Sequence, residues 1–380
     1  MPAKLSDLSR RKFLQASALG TIGSGFLTSA HAKSDKKSKI DPSKILNYNS
    51  EMKYRPVGNT GIYLSVISMG GLLIDESVHH YAIDHGVNFV HMSKSYKGGS
   101  SIRTLSKVMK TKRDKVYIAM KDNFDDIDKM LKLLHTDHLD FIMFNRHNRK
   151  DVNDPRILER FEKYKKQGKV RFMGLTSHKD VKACMRTGIE SGNYQLLMPV
   201  LNQPALESMT EEIRLAHQKG IGVMGMKTMK GIKKPALQIA YLKKLLQNPA
   251  VTTITKGINS FKVFDQYFKA MQEELSFGED ISLYKYAQRN RTNNCMMCSE
   301  CESVCPHDLE ISTMLRSKDY YYEEIGDKEL AVNTLRSISR ERLDTRFCRE
   351  CRECEAVCPN GIHIVERLEK THRLFDSYLV

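Results

Sequence analysis

Eight cysteines near the carboxyl end of the chain form the strongest chemical pattern in the sequence. Two residues separate Cys295 from Cys298 and Cys298 from Cys301, and three more precede Cys305-Pro306. The same spacing recurs further on, again with a closing proline, at Cys348, Cys351, Cys354 and Cys358. Three closely spaced thiolates can bind one face of a [4Fe–4S] cubane, while the Cys-Pro turn directs the fourth thiolate away. The spacing therefore predicts two [4Fe–4S] clusters.

Zinc and disulfides are the competing explanations for so many cysteines. Zinc sites use four ligands in two pairs and do not need three cysteines followed by Cys-Pro. Disulfides follow a different logic of spacing. The ninth cysteine, Cys184, stands alone in a helical stretch and is predicted to be a buried, unreactive thiol.

The double motif resembles that of two-cluster bacterial ferredoxins, in which the fourth cysteine of each motif binds the other cluster. The resemblance implies one ligand set of Cys295, Cys298, Cys301 and Cys358, and a second set of Cys348, Cys351, Cys354 and Cys305. Residues 309–317, 319–325 and 328–338 read as helices. The module, residues 285–380, is thus similar to the α-helical ferredoxins in electron-transfer subunits of respiratory enzymes. We interpret its tyrosine run, Tyr320-Tyr321-Tyr322, as packing for the clusters.

Residues 51–278 alternate short apolar strands with amphipathic helices. The predicted strands are residues 64–69, 88–91, 116–120, 139–144, 170–175, 196–201, 222–226 and 251–255. Helical spacing between them is clearest at residues 125–134, 154–166, 211–219 and 235–247. This order predicts an α/β fold, a (β/α)8 TIM barrel. A doubly wound sheet is the alternative, disfavoured because no G-x-G-x-x-G follows the first strand.

A barrel of this type carries its site at the carboxyl ends of its strands, where the following loops converge. Five polar residues each lie after a different predicted strand: Tyr96, Lys121, Asn145, His178 and Lys227. Each one alone could be an ordinary loop residue. Together they predict a site at the barrel mouth.

The barrel region also resembles the aldo-keto reductase family. Residues 52–61 are similar to that family's opening hairpin, and Ser68-Met69-Gly70-Gly71 to the end of its first barrel strand. Residues 86–91, 168–177 and 220–226 are similar to its second, fifth and seventh strands. The resemblance implies an aldo-keto-reductase-type barrel that reduces carbonyls with NADPH.

The family's catalytic tetrad is a Tyr acid, a Lys that lowers the pKa of the Tyr, an Asp that holds the Lys, and a His that orients the carbonyl. Tyr96 and Lys121 stand at the first two positions, but His91 replaces the Asp and Asn145 replaces the His. Lys121 would lose its anchoring anion, and Asn145 can hydrogen-bond an oxygen but cannot titrate. His147 is expected to face the same side as Asn145.

The resemblance also indicates where a cofactor would bind. Thr176 and Ser177 end the strand that matches the family's fifth, and Lys256, Gly257 and Ser260 follow the last strand, where a glycine turn before a helix can hold phosphate. NADPH is therefore a possible third cofactor beside the two [4Fe–4S] clusters, although half of the tetrad is replaced.

The first 32 residues are predicted to be an export signal. Ser9-Arg10-Arg11-Lys12-Phe13-Leu14 matches the twin-arginine motif, an apolar stretch follows, and Ala30-His31-Ala32 suits a signal peptidase. We expect cleavage near Ala32, a flexible lead-in over residues 33–50, and a periplasmic protein exported in the folded state.

The net charge of +16 predicts acidic partners. No basic run interleaved with aromatic residues is present, so the expected partner is a redox protein, acidic or membrane-associated, and not nucleic acid. The sequence favours an exported oxidoreductase that passes single electrons through its clusters to or from a small molecule at the barrel mouth. A non-catalytic electron-transfer subunit with the barrel as docking scaffold, and an NADPH-dependent carbonyl reductase, are the alternatives.

Overall fold

The structure is a computed structural model that describes residues 40–324, 326–346 and 348–379. The predicted export signal and the start of the lead-in lie outside these residues. The lead-in was expected to be flexible up to residue 50, and this is wrong for residues 42–50. Ile45 is buried, and the Asn47 amide donates to the backbone carbonyls of Ile83 at 2.6 Å and Val87 at 3.1 Å. One apolar and one amide side chain thus anchor the segment to the barrel.

An antiparallel hairpin, β1 (Tyr54–Pro56) and β2 (Tyr63–Ser65), precedes the barrel. The predicted strand at residues 64–69 is in fact divided between β2 and the first barrel strand. The division falls at Val66, whose N–H donates to the carbonyl of Lys53 in the hairpin. The Ser65 hydroxyl donates to the carbonyl of Ile67 at 2.7 Å, which holds the bend between the two strands.

Eight parallel strands close into a barrel, with the last strand paired to the first. They are β3 (Ile67–Gly70), β4 (Phe89–Met92), β5 (Tyr117–Lys121), β6 (Leu139–Asn145), β7 (Val170–Thr176), β8 (Leu196–Met198), β9 (Gly222–Gly225) and β10 (Thr253–Lys256). This confirms the predicted (β/α)8 fold. Strands such as β6 are buried almost throughout because helices cover their outer side and side chains fill the barrel interior.

Helices surround the barrel, and the predicted ones at residues 125–134, 154–166, 211–219 and 235–247 are confirmed with small shifts of their ends. The helices of this region are Glu76–Asp84, Ser100–Lys112, Ile127–Leu133, Arg149–Val152, Pro155–Lys166, Val181–Ser191, Gln203–Ser208, Thr210–Gln218, Pro235–Gln247 and Phe261–Ala270. Local chemistry fixes their ends: Asp154 accepts a hydrogen bond from the Arg156 N–H at 3.0 Å, and Pro155 occupies the first turn.

The carboxyl-terminal module is helical, as predicted. Its elements are Glu300–Ser303, Ile311–Asp319, the π-helical turn Tyr320–Glu324, Lys328–Arg336, Cys348–Cys351, Glu353–Ala356 and Ile364–Leu379. The helix Ile311–Asp319 is called the interface helix below. Helix Phe277–Asn290, which begins with a Ser276–Glu279 capping box, connects the module to the barrel.

An internal repeat underlies this module. The carboxylate of Glu302, next to a motif cysteine, accepts from the Ser312 N–H at 2.8 Å at the start of the interface helix. Glu355 occupies the same place in the second motif and accepts from the Val365 N–H at 2.9 Å at the start of the last helix. Each cysteine motif therefore caps the helix that follows it.

Residues from Pro42 onward form one compact unit that contains both the barrel and the ferredoxin-like module. Among the described residues, no helix combines the length and the apolar character needed to cross a membrane.

Candidate active site and cluster sites

The eight motif cysteines line two separate cavities in the ferredoxin-like module. One cavity, called the first cysteine cavity below, is lined by Cys295, Cys298, Cys301 and Cys358. The second cysteine cavity is lined by Cys305, Cys348, Cys351 and Cys354. The structure thus brings together the two sets that the ferredoxin resemblance implies, each with its fourth thiol from the other motif.

The backbone around the cysteines is bent so that amides face sulfur. Met297 and Ser299 have positive φ angles of 61° and 64°, which few non-glycine residues adopt. The Met297 N–H donates to the sulfur of Cys295 at 3.4 Å, and the Ile362 N–H donates to the sulfur of Cys358 at 3.5 Å. Such bonds stabilise thiolates that carry metal and help to set a cluster's potential.

The arrangement of thiols fits iron–sulfur clusters better than zinc or disulfides. All nine cysteines fall in the described part of the chain, and none is bridged. No three His, Cys, Asp or Glu side chains of the described residues converge closely enough to hold a single metal ion. Burial raises the pKa of Cys298 to about 11 and that of Cys354 to about 12, so thiolates here need a cationic centre beside them.

The isolated cysteine differs from these eight, as predicted. Cys184 is fully buried in helix Val181–Ser191. Burial raises its pKa to about 11, which keeps the thiol protonated and unreactive.

A cavity of about 640 Å³ lies at the carboxyl ends of the barrel strands. The five polar residues that the sequence predicted for the mouth all line it: Tyr96, Lys121, Asn145, His178 and Lys227. The ferredoxin-like module covers part of this opening, because four of its side chains also line the cavity: Arg316, Tyr320, Leu330 and Thr334.

The residues at the four tetrad positions are neighbours. Lys121 Nζ lies 5.7 Å from the centre of the Tyr96 ring, and the rings of His91 and Tyr96 meet edge to face at 6.3 Å. Asn145 and His147 line the same side, with Asn145 Nδ2 and His147 Nε2 3.2 Å apart. The expected side for His147 is therefore confirmed.

Lys121 has an imidazole partner in place of a carboxylate. Its Nζ lies 3.0 Å from Nε2 of His178, and both side chains are buried. Burial, followed by the positive charges of Lys227 and Arg316, lowers the pKa of Lys121 to about 7. The expected effect of losing the family's Asp is thus visible, since a buried lysine without a strong counter-ion gives up its proton more easily.

The histidines of the cavity are neutral near pH 7. Burial, helped by the charge of Lys121, lowers the pKa of His91 to about 3, and burial with the nearby Arg316 lowers that of His147 to about 3. The pKa of His178 is also far below its usual range, mainly because of burial. These rings can donate or accept a hydrogen bond but do not add charge.

The residues predicted for cofactor binding are only partly assembled. Lys256 and Gly257 line the cavity. The Thr176 hydroxyl donates to the carbonyl of Met198 at 3.3 Å, and the Ser177 hydroxyl donates to that of Lys179 at 2.6 Å. Ser260 begins helix Phe261–Ala270, and none of these three hydroxyl residues lines the cavity.

Two residues of the interface region were not predicted for this site. Arg316 lies on the interface helix, and its Nη1 donates to the backbone carbonyl of His178 at 3.5 Å. Tyr320 was interpreted as cluster packing, and it does share an apolar core with Cys301, Cys348 and Cys354. The centre of its ring also lies 4.4 Å from the Lys227 ammonium, and the residue lines the barrel cavity as well. No local sequence signal could have placed either residue, because their position depends on how the module docks.

The ferredoxin-like module is held against the barrel by buried charge pairs and by a hydrogen bond to the loop that carries Cys295. Lys230 of the barrel pairs with Asp319 at 2.5 Å, with only 3% and 7% of the side chains exposed. Lys179 pairs with Glu302 at 2.6 Å, and the Asn202 amide donates to the carbonyl of Cys295 at 3.0 Å. The first cysteine cavity therefore lies on the barrel side of the module.

The interface helix separates the two kinds of site. Ser312 and Leu315 line the first cysteine cavity, whereas Arg316, the very next residue, lines the barrel cavity. A cluster in the first cavity would thus be divided from the barrel cavity by the width of one helix.

Comparisons with known proteins agree with this architecture. Residues 76–246 match the Aldo/keto reductase family, and residues 291–362 match the 4Fe-4S dicluster domain. The chain is similar to a Pseudomonas aeruginosa protein described as an aldo-keto reductase, with 20% identity, 58% of this chain and 95% of that one covered, and a TM-score of 0.50. An aldo-keto reductase of Bacillus halodurans in its holo form gives 18% identity, 62% and 96% coverage, and a TM-score of 0.50. No curated protein matches the chain.

Proposed function

We propose that this chain is an oxidoreductase that exchanges single electrons with a small molecule in the barrel cavity. The premise is that the chain joins an aldo/keto reductase domain to a 4Fe-4S dicluster domain. One observation carries this proposal: two neighbouring residues of the interface helix line different cavities. Leu315 lines the first cysteine cavity, and Arg316 lines the barrel cavity. Two [4Fe–4S] clusters, held by the two cysteine sets, supply one electron each when bound.

The chain's own residues at the mouth would handle protons. Tyr96 is the proposed proton donor or acceptor toward the substrate, since its ring lies beside the Lys121 ammonium. Lys121 can hold or release a proton near neutral pH, and its Nζ lies within hydrogen-bond distance of Nε2 of His178. When Lys121 is charged it donates to Nε2, and the ring hydrogen of His178 is then on Nδ1. Asn145 would orient a substrate oxygen by hydrogen bonding.

NADPH-dependent carbonyl reduction is a second candidate, favoured by Lys256 and Gly257 at the cavity wall. Against it stand His91 and Asn145 at two tetrad positions, together with the hydroxyl of Ser177, which is engaged elsewhere. Calorimetric titration of the purified protein with NADPH separates the candidates. Tight binding would support hydride chemistry, and its absence would leave the clusters as the only electron source.

Electron exchange is tested on protein purified without oxygen. Chemically reduced protein should be reoxidised when the right member of a panel of carbonyl compounds and organic acids is added, seen as recovery of cluster absorbance. The double variant Cys298→Ala/Cys351→Ala should lose this reaction, whereas Cys184→Ala, which removes the isolated thiol, should keep it. Normal turnover by the double variant would refute the proposal. If neither the parent protein nor any variant reacts with the panel, and the protein forms a stable complex with a partner, the docking-scaffold function would be favoured.

We further propose that the protein is exported by the twin-arginine route, matures near Ala32 and exchanges electrons with an acidic or membrane-associated redox partner. The twin-arginine motif and the net charge of +16 support this. The variant Arg10→Lys/Arg11→Lys should remain in the cytoplasm as precursor. The control Lys36→Arg/Lys37→Arg, beyond the cleavage site, should reach the periplasm. Equal export of both variants would contradict the proposal.

The partner is expected near the second cysteine cavity. Apart from its four cysteines, that cavity is lined by Pro306, His307, Leu309, Ile311, Arg352 and Leu368. The first cavity faces the barrel, so the second is the one left for exchange with another protein. Crosslinking of the exported protein to captured partners, mapped around His307 and Arg352, tests this placement. Crosslinks confined to the barrel helices would contradict it.

A further inference from the structure

The barrel cavity has a strongly one-sided charge. Its lining contains six basic side chains and, among the described residues, no Asp or Glu; the basic ones are Lys121, Lys227, Lys230, Lys233, Lys256 and Arg316. Lys230 pairs with Asp319 at 2.5 Å. The six basic side chains are concentrated in a partly enclosed space, where charges are screened less than at the surface.

Two of these cations are buried at the seam between the barrel and the module. Arg316 is 8% exposed, and its Nε has no hydrogen-bond partner among the described residues. Lys121 is also 8% exposed, and its partner is the uncharged ring of His178. Buried cations are expensive unless an anion and hydrogen bonds compensate them. Burial is the main cause of the lowered pKa of Lys121, and the positive charges of Lys227 and Arg316 add to it.

The other part of the wall is apolar. Side chains of this kind that line the cavity are Leu72, Leu73, Met198, Met226, Met229, Ile232 and Leu330. A volume of about 640 Å³ is within the usual range for small-molecule sites. Methionine side chains adapt to ligands of irregular shape. The cavity therefore combines a cationic region with an adaptable apolar region.

We propose that the substrate is an organic anion, a carboxylate attached to an apolar body, whose charged group is bound by Arg316 and Lys121. The guanidinium offers a planar pair of donors that matches a carboxylate, and the lysine adds a compact charge beside it. The apolar body lies against the methionines. Arg316 comes from the interface helix, so the module that holds the cysteines also selects the substrate.

This inference rests on the proposed function but is tested without turnover. Binding of four probes to the oxidised holoprotein is measured by calorimetry: benzoate, its neutral isostere benzamide, acetate, which lacks the apolar body, and inorganic phosphate. Benzoate should bind at least about tenfold more tightly than benzamide and than acetate, a ratio typical of one charge-assisted hydrogen bond or one buried ring. Phosphate binding tighter than benzoate would identify a phosphoryl anion and overturn the carboxylate assignment.

The variant Arg316→Gln should weaken benzoate binding at least about tenfold and leave benzamide nearly unchanged. Arg316→Lys should recover part of the loss. Arg156→Gln, at an arginine 85% exposed outside the cavity, is the control and should bind like the parent protein. Iron content and the cluster spectrum check that each variant is intact.

Several outcomes would overturn the inference: no benzoate binding to the parent protein, equal affinity for benzoate and benzamide, or equal losses for both probes in Arg316→Gln. Should Arg316→Gln fail to fold, the affinities of the parent protein and of Lys121→Met for benzoate and benzamide still test the inference. The preference for benzoate over benzamide should be smaller in Lys121→Met than in the parent protein. None of these results bears on cluster reoxidation, so failure of the anion site and failure of electron exchange can be told apart.

Discussion

The ammonium of Lys121 lies 3.0 Å from Nε2 of His178, so a buried lysine at the barrel mouth is held by an imidazole and not by a carboxylate. The consequence is a lysine that titrates near neutral pH, with a pKa lowered to about 7 by burial and by neighbouring cations. A group that changes charge at this pH inside a substrate cavity can couple ligand binding to proton uptake.

The first prediction concerns the pH dependence of anion binding. Lys121 faces His178 and the charges of Lys227, Arg316 and Asp122. Bound benzoate favours the ammonium form, so its affinity should be fully present well below pH 7 and fall as the pH rises through the pKa of about 7 of the free protein. Calorimetry in buffers of different ionisation enthalpy should show proton uptake on binding near this pH.

The cavity histidines should not contribute to this dependence, because the pKa values of His91 and His147 are lowered to about 3. Lys121→Met is the control: its affinity for benzoate should be lower and should not change across the same pH range. A fall in affinity that persists in Lys121→Met would assign the titration to another group.

The second prediction tests the crosswise sharing of cysteines. Cys358→Ala should remove the same cluster as Cys298→Ala, because both residues line the first cysteine cavity. Cys351→Ala should remove the other cluster, although it is closer to Cys358 in sequence. Each single variant should retain about four of about eight irons. Paramagnetic resonance of the reduced variants identifies the surviving cluster, and a shared signal in Cys358→Ala and Cys351→Ala would refute the crossing.

The third prediction concerns the buried pair Lys230–Asp319. Asp319→Asn removes a buried carboxylate from beside a lysine that is only 3% exposed, and breaking a buried pair from one side costs roughly 3–5 kcal/mol. The midpoint of thermal unfolding should fall, and the module should become more sensitive to protease. The exposed pair Lys94–Asp125, with 39% and 99% exposure, is the control.

Asp125→Asn should leave the midpoint of thermal unfolding nearly unchanged, as expected for a surface pair. Equal stability losses in Asp319→Asn and Asp125→Asn would mean that the buried pair does not hold the module against the barrel.

The fourth prediction uses two glycines with similar backbone angles. A Cβ on Gly231, where φ is +81°, would lie 2.0 Å from the Asn294 side chain, next to the first motif cysteine. A Cβ on Gly192, where φ is +72°, would meet no atom within 4 Å. Gly192→Ala should therefore cost only the backbone strain of about 1–2 kcal/mol.

Gly231→Ala should cost more and should also alter the spectrum of the cluster in the first cysteine cavity, since the loop before Cys295 must move. Thermal unfolding and paramagnetic resonance measure the two effects. If both alanine variants lose the same stability and keep identical cluster spectra, the contact between Gly231 and Asn294 is not a determinant of the cluster site.

The sequence predicted most of the barrel because each strand is a short apolar run between helical segments. It also predicted the mouth residues Tyr96, Lys121 and His178, since a residue that follows a barrel strand must lie at the mouth. The error at residues 42–50 arose because polar composition suggested flexibility, whereas a few specific contacts, such as the buried Ile45, fix the segment.

The contributions of Arg316 and Tyr320 could not be predicted, because they depend on the docking of two modules. Spacing along the chain describes which residues share a helix or a motif. It carries no information on which face of the interface helix meets the barrel, which is decided by long-range pairs such as Lys230–Asp319.

The interface helix begins at Ile311, shortly after the first cysteine motif, and its amino end is capped by Glu302, the neighbour of Cys301. We therefore expect the loading of iron at Cys301 to be linked to the ordering of the helix that carries Arg316. A polypeptide that has not received its iron is then expected to hold Arg316 less firmly and to bind the proposed substrate more weakly than the loaded protein.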